Sequence, residues 1–193
     1  MVSMKKVSDI VADFLVSKSI RHVFAISGGA SLHLIHSIAG NNSLDYICNH
    51  HEQASAMCAD AYSRITGNIG VVVATSGPGA TNLITGLCCS YYDSVPLLAI
   101  TGQVSTTRMV GETGVRQIGF QETPIVDICK PITKYSVQIT DPYSIIYELE
   151  KAYHIAKSGR PGPVLVDIPD NLQREIIDYT LCPRYVDLTE AYP

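Results

Sequence analysis

Two hydrophobic periods alternate along the chain. Val7, Val11, Phe14 and Leu15 follow the i, i+4, i+7, i+8 spacing of a helix with one buried face. "HVFAI" (22–26) is a short apolar run stopped by "SGG", which predicts a buried strand, and "SLHLIHSIA" returns to helical spacing. The same switch recurs, with strands predicted at "LDYIC" (44–48), "GVVVATS" (70–76), "PLLAIT" (96–101), "TKYSVQI" (133–139) and "GPVLVDIP" (162–169). Helical stretches lie between them. One follows Glu52 and carries Ala54, Met57, Cys58, Ala61 and Ile65 on its apolar face. Another covers "GPGATNLITGLCCSYYDS", a short one lies near 121–128, and a last one carries Ile145, Leu149, Ala152, Tyr153 and Ala156.

Strands and helices in alternation predict an α/β fold, a doubly wound six-stranded parallel sheet with helices on both faces. The β-branched run "GVVVATS" suits a strand covered on both sides. Residues 1–175 read as this domain. Residues 176–193 lose periodicity, contain Pro183 and Pro193, and read as an exit linker. Ligands of such sheets sit beyond the carboxyl ends of the strands. The segments to search are therefore "SGGAS", "NHHEQ", "SGPGATN" and "TGQVS".

Composition narrows the partners. With 193 residues, 46% hydrophobic and 17% charged, the chain suits one well-buried domain. A net charge of −4 without a basic run speaks against nucleic acid. There is no apolar stretch near the ~20 residues of a membrane helix and no signal-peptide core, so a cytoplasmic chain with no membrane partner is expected. The six cysteines show no CxxC spacing and no zinc-type histidine partners; they read as small buried hydrophobes in a reducing compartment.

Candidate chemistry starts at Glu52, an acid between a strand end and a helix of small side chains. It either complements the helix N-terminus or serves as a catalytic acid in an apolar cleft, where burial raises a carboxyl pKa. "SGPGATN" (76–82) is either an anion cradle or a tight strand-to-helix turn. It is neither GxGxxG nor a lysine-bearing P-loop, which disfavours a nucleotide-binding module. His50 and His51 point oppositely if extended, so they suit hydrogen bonding better than metal chelation, and no metal-ligand set is read in the chain. Arg160 either caps the preceding helix or contacts a ligand. Phe120 and Gln121 follow a long Gly-containing loop and are either loop packing or a substrate contact.

Together, "HEQASAMCADAYSRITGNIGVVVATSGPGATNLITGL", "YYDSVPLLAITGQV", "GFQE" and "SGRPGPVLVDIP" resemble the N-terminal pyrimidine-binding domain of thiamine diphosphate-dependent enzymes. Acetolactate synthase large subunits are the nearest of these. The resemblance covers roughly residues 4–170 and implies the flavodoxin-like thiamine diphosphate-binding fold. It assigns Glu52 to N1′ of the aminopyrimidine, where the pairing favours the imino tautomer that deprotonates thiazolium C2. The cofactor then accepts electrons from a decarboxylating 2-keto acid. By the same resemblance Gly28, Gly29, Thr75, Pro78 and Asn82 line the cofactor cleft. Phe120 and Gln121 lie at its substrate side, and Arg160 contacts FAD in members that carry it. Mg²⁺ and the diphosphate belong to a separate domain with a GDG motif, which this chain lacks. A site shared between subunits of a homodimer or tetramer follows, and an isolated chain without activity.

The sequence also departs from the pattern. Asp170 stands where many synthases have lysine, Ser27 replaces a proline, and "GETGVRQIGF" (111–120) is longer than usual. These changes border the substrate entrance. They leave open a decarboxylase, a relative acting on a sugar or cyclic dione, or a noncatalytic domain that kept the fold.

Overall fold

The computed structural model describes residues 3–187. Its strands are β1 (Met4–Lys6), β2 (His22–Ala25), β3 (Asp45–Cys48), β4 (Gly70–Ala74), β5 (Leu97–Gln103), β6 (Tyr135–Gln138), β7 (Pro163–Pro169) and β8 (Ile176–Asp178). Its α-helices are α1 (Val7–Ser17), α2 (Leu32–Ala39), α3 (Glu52–Thr66), α4 (Pro78–Thr81), α5 (Ile84–Tyr92), α6 (Ile125–Cys129), α7 (Ile145–Lys157) and α8 (Asp170–Gln173). Among the described residues no helix is long and apolar enough to cross a membrane.

The expected six strands form one parallel sheet in the order β3-β2-β4-β5-β7-β6. Side-chain alternation along each strand divides the core into two layers. Val71, Val73, Leu98, Ile100, Val164 and Val166 pack with α1, α2 and α7 on one face. Val72, Ala74, Leu97, Ala99 and Leu165 pack with α3, α5 and α6 on the other. Helices cover both faces, as a continuous β-branched strand requires. The predicted helix across 77–94 is interrupted at Asn82–Leu83, between α4 and α5.

Helix α3 faces the other way from the expectation. Its buried residues are Ser55, Ala56, Ala59, Asp60 and Ser63, whereas Ala54, Met57 and Ala61 are exposed and Ile65 is 86% exposed. Close packing is the reason. A Cβ on Gly70 would lie 2.0 Å from the Ala59 carbonyl oxygen, and one on Gly86 would lie 2.3 Å from the Ala56 Cβ. At that separation only small side chains fit between helix, sheet and α5. The larger apolar side chains turn outward.

The start of the supposed linker belongs to the fold. Strand β8 pairs antiparallel with β1, Met4 opposite Asp178 and Lys6 opposite Ile176, and the Val7 N–H donates to Glu175 O at 2.9 Å. Three residues are too few to display a strand period, so a long-range partner defines this one. The cysteines also differ from expectation. Cys129 and Cys182 are buried, but Cys58 and Cys88 are half-buried and Cys48 and Cys89 exposed, all as free thiols. Burial pushes the Cys129 thiol up to about 11.

Candidate functional site

The strand order reverses between β2 and β4: from β2 the chain runs to β3 on one side, then crosses back to β4 on the other. A reversal of this kind marks the switch-point crevice, the usual ligand position in a doubly wound sheet, and here the loop after β2 and the end of β4 touch. Three predicted segments meet there. The Thr75 Oγ1 at the end of β4 accepts from the Ala30 N–H at 3.1 Å. Gly28 comes so close to Thr75 that a Cβ would lie 2.5 Å from that side chain. Gly29 has open space instead, with nothing within 4 Å of its Cβ position.

Glu52 is the first residue of α3 and half-buried. The preceding His51 is the N-cap, its Nδ1 accepting from the Gln53 N–H at 3.1 Å, so that histidine is a satisfied hydrogen-bonder. Asn82, at the end of α4, donates from Nδ2 to Glu52 Oε2 at 2.9 Å. The other carboxylate oxygen, Oε1, lies 3.3 Å from where a Cβ on Gly79 would be. The carboxylate thus sits in the first helical turn, as the helix-complement reading expects, and faces Asn82 and Gly79.

"SGPGATN" takes the tight-turn reading. Gly77 has φ 61° and ψ −123°, a conformation that L side chains avoid. Its Cβ would lie 2.7 Å from Gln121 O. A Cβ on Gly79 would meet Thr75 Cγ2 at 2.7 Å. Helix α4 has only four residues, and Pro78 at its first position has no N–H to offer. Pro78 is exposed beside Gly77.

Gln121 joins this cluster through its backbone contact with Gly77. It has φ 63°, which for a non-glycine residue costs on the order of 1–3 kcal/mol. Phe120 beside it is 84% exposed. Ser105 donates to the Asp170 carboxylate, and Asn171 exchanges hydrogen bonds with Thr106. The residues after β7 thereby fasten the loop that follows β5. Arg160 does not join the cluster. It precedes β7 and so lies at the opposite edge of the sheet, donating to Ser94 Oγ at 2.7 Å and to Tyr92 O at 3.2 Å. It holds the end of α5, not of the preceding α7. Tyr91, Tyr92, Lys134 and Pro161 surround it in a hollow of about 260 Å³.

Several supporting residues escaped the sequence reading. Asp167, fully buried in β7, accepts from Thr101 Oγ1 at 2.6 Å, Gln138 Nε2 at 2.8 Å and Gln103 Nε2 at 3.1 Å. Burial raises its pKa against these three donors. A carboxylate within the apolar run "VLVDIP" was the available signal. Gln173, also fully buried, donates to Ala30 O and Ile168 O, both at 2.7 Å, and so ties the turn after β2 to β7. Among the described residues its Oε1 has no hydrogen-bond partner. Glu122 was visible in "GFQE" but unassigned.

A carboxylate, a carboxamide and close-packed glycines suit a flat, neutral ring with hydrogen-bonding nitrogens. Among the described residues no group of three His, Cys, Asp or Glu could hold a metal ion.

The family model described as thiamine pyrophosphate enzyme, N-terminal TPP binding domain, matches residues 5–128. The chain is 42% identical over 172 residues to the chloroplastic acetolactate synthase of Arabidopsis thaliana, covering 89% of this chain and 25% of that protein. Chloroplastic acetolactate synthase 2 of Zea mays is 45% identical over 175 residues, covering 89% of this chain and 26% of that protein. Acetolactate synthase of Arthrospira platensis is 41% identical over 182 residues, covering 92% and 30% respectively. The chain therefore spans between a quarter and a third of the length of these relatives. With the family match and these identities added to the parallel sheet and its switch-point crevice, the chain belongs to the N-terminal, thiamine pyrophosphate-binding domains of thiamine pyrophosphate enzymes and resembles that of acetolactate synthase.

Proposed function

We propose that this chain is the cofactor-activating domain of a thiamine diphosphate-dependent 2-keto acid decarboxylase and carboligase. The observation that carries the reading is the Glu52 carboxylate at the switch-point crevice, held by Asn82 at 2.9 Å. When bound, thiamine diphosphate supplies the electron sink for decarboxylation and carbon–carbon bond formation.

In this reading Glu52 holds a proton at Oε1 or Oε2 for a ring nitrogen of the aminopyrimidine. Asn82 fixes one carboxylate oxygen and so orients the other. Gly77 and Gly79 keep the turn after β4 thin enough for a ring to approach. Phe120 and Gln121 form the substrate-side wall. The diphosphate and Mg²⁺ are assigned to another domain, and Arg160 with its tyrosine neighbours is the contact assigned to FAD. Exposed apolar side chains near the crevice and on the outer face of α3, including Leu32, Met57 and Phe120, support a site completed by a second subunit of a homo-oligomer. The chain alone is expected to be inactive, which an assay for pyruvate turnover checks.

The reading is tested by Glu52→Gln in the complete enzyme, with hydrogen–deuterium exchange at cofactor C2 followed by proton NMR after acid quench. Exchange should slow by ~10²–10⁴-fold, the usual loss for a removed proton-transfer group. An unchanged exchange rate would remove Glu52 from the chemistry.

A further inference from the structure

Residues 104–124 cross the carboxyl edge of the sheet between β5 and α6 as a long loop with one short 3₁₀ turn, Thr106–Arg108. Apolar burial does little to hold its middle. Residues 111–118 are all exposed, with Val115 at 52% and Ile118 at 53%, and a cavity of about 410 Å³ lies between the loop and α6. Beyond the ties of Ser105 and Thr106 to Asp170 and Asn171 near its start, the loop is gathered by one carboxylate. The Glu122 carboxylate accepts from the backbone N–H groups of Val110 at 2.6 Å, Ile118 at 3.1 Å and Gly119 at 3.3 Å. The Glu122 N–H donates to Gly119 O at 3.0 Å, closing the turn whose inner residues are Phe120 and Gln121. Gln117 Nε2 donates to Glu122 O at 2.9 Å. Next along the chain, Thr123 O accepts from Gln103 Nε2, which also donates to buried Asp167.

A non-glycine residue at positive φ persists only where its surroundings over-determine it. Here the surroundings are the Glu122 clamp and the contact of Gln121 with Gly77. We infer that Glu122 is a positioning residue, whose carboxylate clamps the 110–119 loop and thereby sets Phe120 and Gln121 as the substrate-side wall. The clamp is read from geometry alone; its role toward substrate rests on the function proposed above. Glu122 governs substrate capture and Glu52 governs cofactor activation, so the two residues separate kinetically.

The test uses Glu122→Gln and Glu122→Asp. In the 193-residue chain, residue-resolved amide exchange should become about tenfold faster at Val110, Ile118 and Gly119 in Glu122→Gln, the scale of one lost charge-assisted hydrogen bond, with β4 and β5 unchanged. In the complete enzyme, Glu122→Gln should lower kcat/KM for the 2-keto acid about tenfold while cofactor C2 exchange stays within about twofold of wild type. Glu122→Asp keeps the charge and should fall between; it carries both measurements if Glu122→Gln does not fold. Unchanged loop-amide exchange overturns the clamp even with the enzyme active. Unchanged kcat/KM, or C2 exchange falling in step with turnover, overturns the positioning role. A complete enzyme with no 2-keto acid turnover removes the function reading and the substrate role with it, and the amide exchange then decides the clamp alone.

Discussion

Adding one methyl group at Gly77 probes the geometry of the crevice. Gly77→Ala would keep φ near 61° and ψ near −123°, where an L residue is strained by about 1–3 kcal/mol. The new Cβ would lie 2.7 Å from Gln121 O and 2.8 Å from Gln121 Cβ. Overlap of this kind adds about 1–3 kcal/mol, because the nearest atom belongs to backbone and cannot rotate away. The two costs together are about 2–6 kcal/mol, against a typical domain stability of about 5–15 kcal/mol. With a urea slope near 2 kcal/mol per M, the unfolding midpoint should fall by roughly 1–3 M. Gly29→Ala is the matched control, since its Cβ would meet nothing within 4 Å. That variant should stay within about 0.5 kcal/mol of wild type. Equal midpoints for the two variants would refute the placement of Gln121 against Gly77.

The outward face of α3 makes a contrary prediction. Ile65, 86% exposed, should tolerate Ile65→Ser within about 0.5 kcal/mol in urea unfolding, whereas a core position would lose several. Asp167 predicts a pH dependence. Burial raises its folded pKa above the ordinary 3.8, so the folded state binds more protons than the unfolded one between that value and the raised one. Its contribution to stability therefore declines as pH rises through that window. Asp167→Asn removes this titration, so the margin by which wild type exceeds the variant in unfolding free energy should be larger at pH 4 than at pH 7. A margin that grows toward pH 7 would mean that the donors outweigh burial.

Fold class and the edge where the turns after the strands gather were legible because hydrophobic period reports secondary structure locally, and a parallel sheet puts every strand's carboxyl end on the same side. The six apolar runs and the turns after them needed no tertiary information. What period cannot report is which of two faces finds room. In α3 the larger apolar residues suggested a core face, yet the 2.0 Å and 2.3 Å Cβ clearances at Gly70 and Gly86 admit only small side chains. Strand β8 likewise depended on β1, nearly the whole chain away, for its hydrogen bonds. Motif resemblance brought forward Glu52, Asn82 and Gln121 as residue types in order; it could not supply their contacts.

The sequence by itself determined the order of elements, the edge where the turns after the strands gather and the acid that stands there. Only the tertiary structure decided that the turn after β2 meets Thr75 at the strand reversal, that Asn82 reaches Glu52, and that Glu122 rather than apolar packing holds the middle of the loop before Gln121. The physical reason is one of range. Period and turn chemistry act between neighbours along the chain, whereas a crevice is made by groups that only packing brings within hydrogen-bond distance.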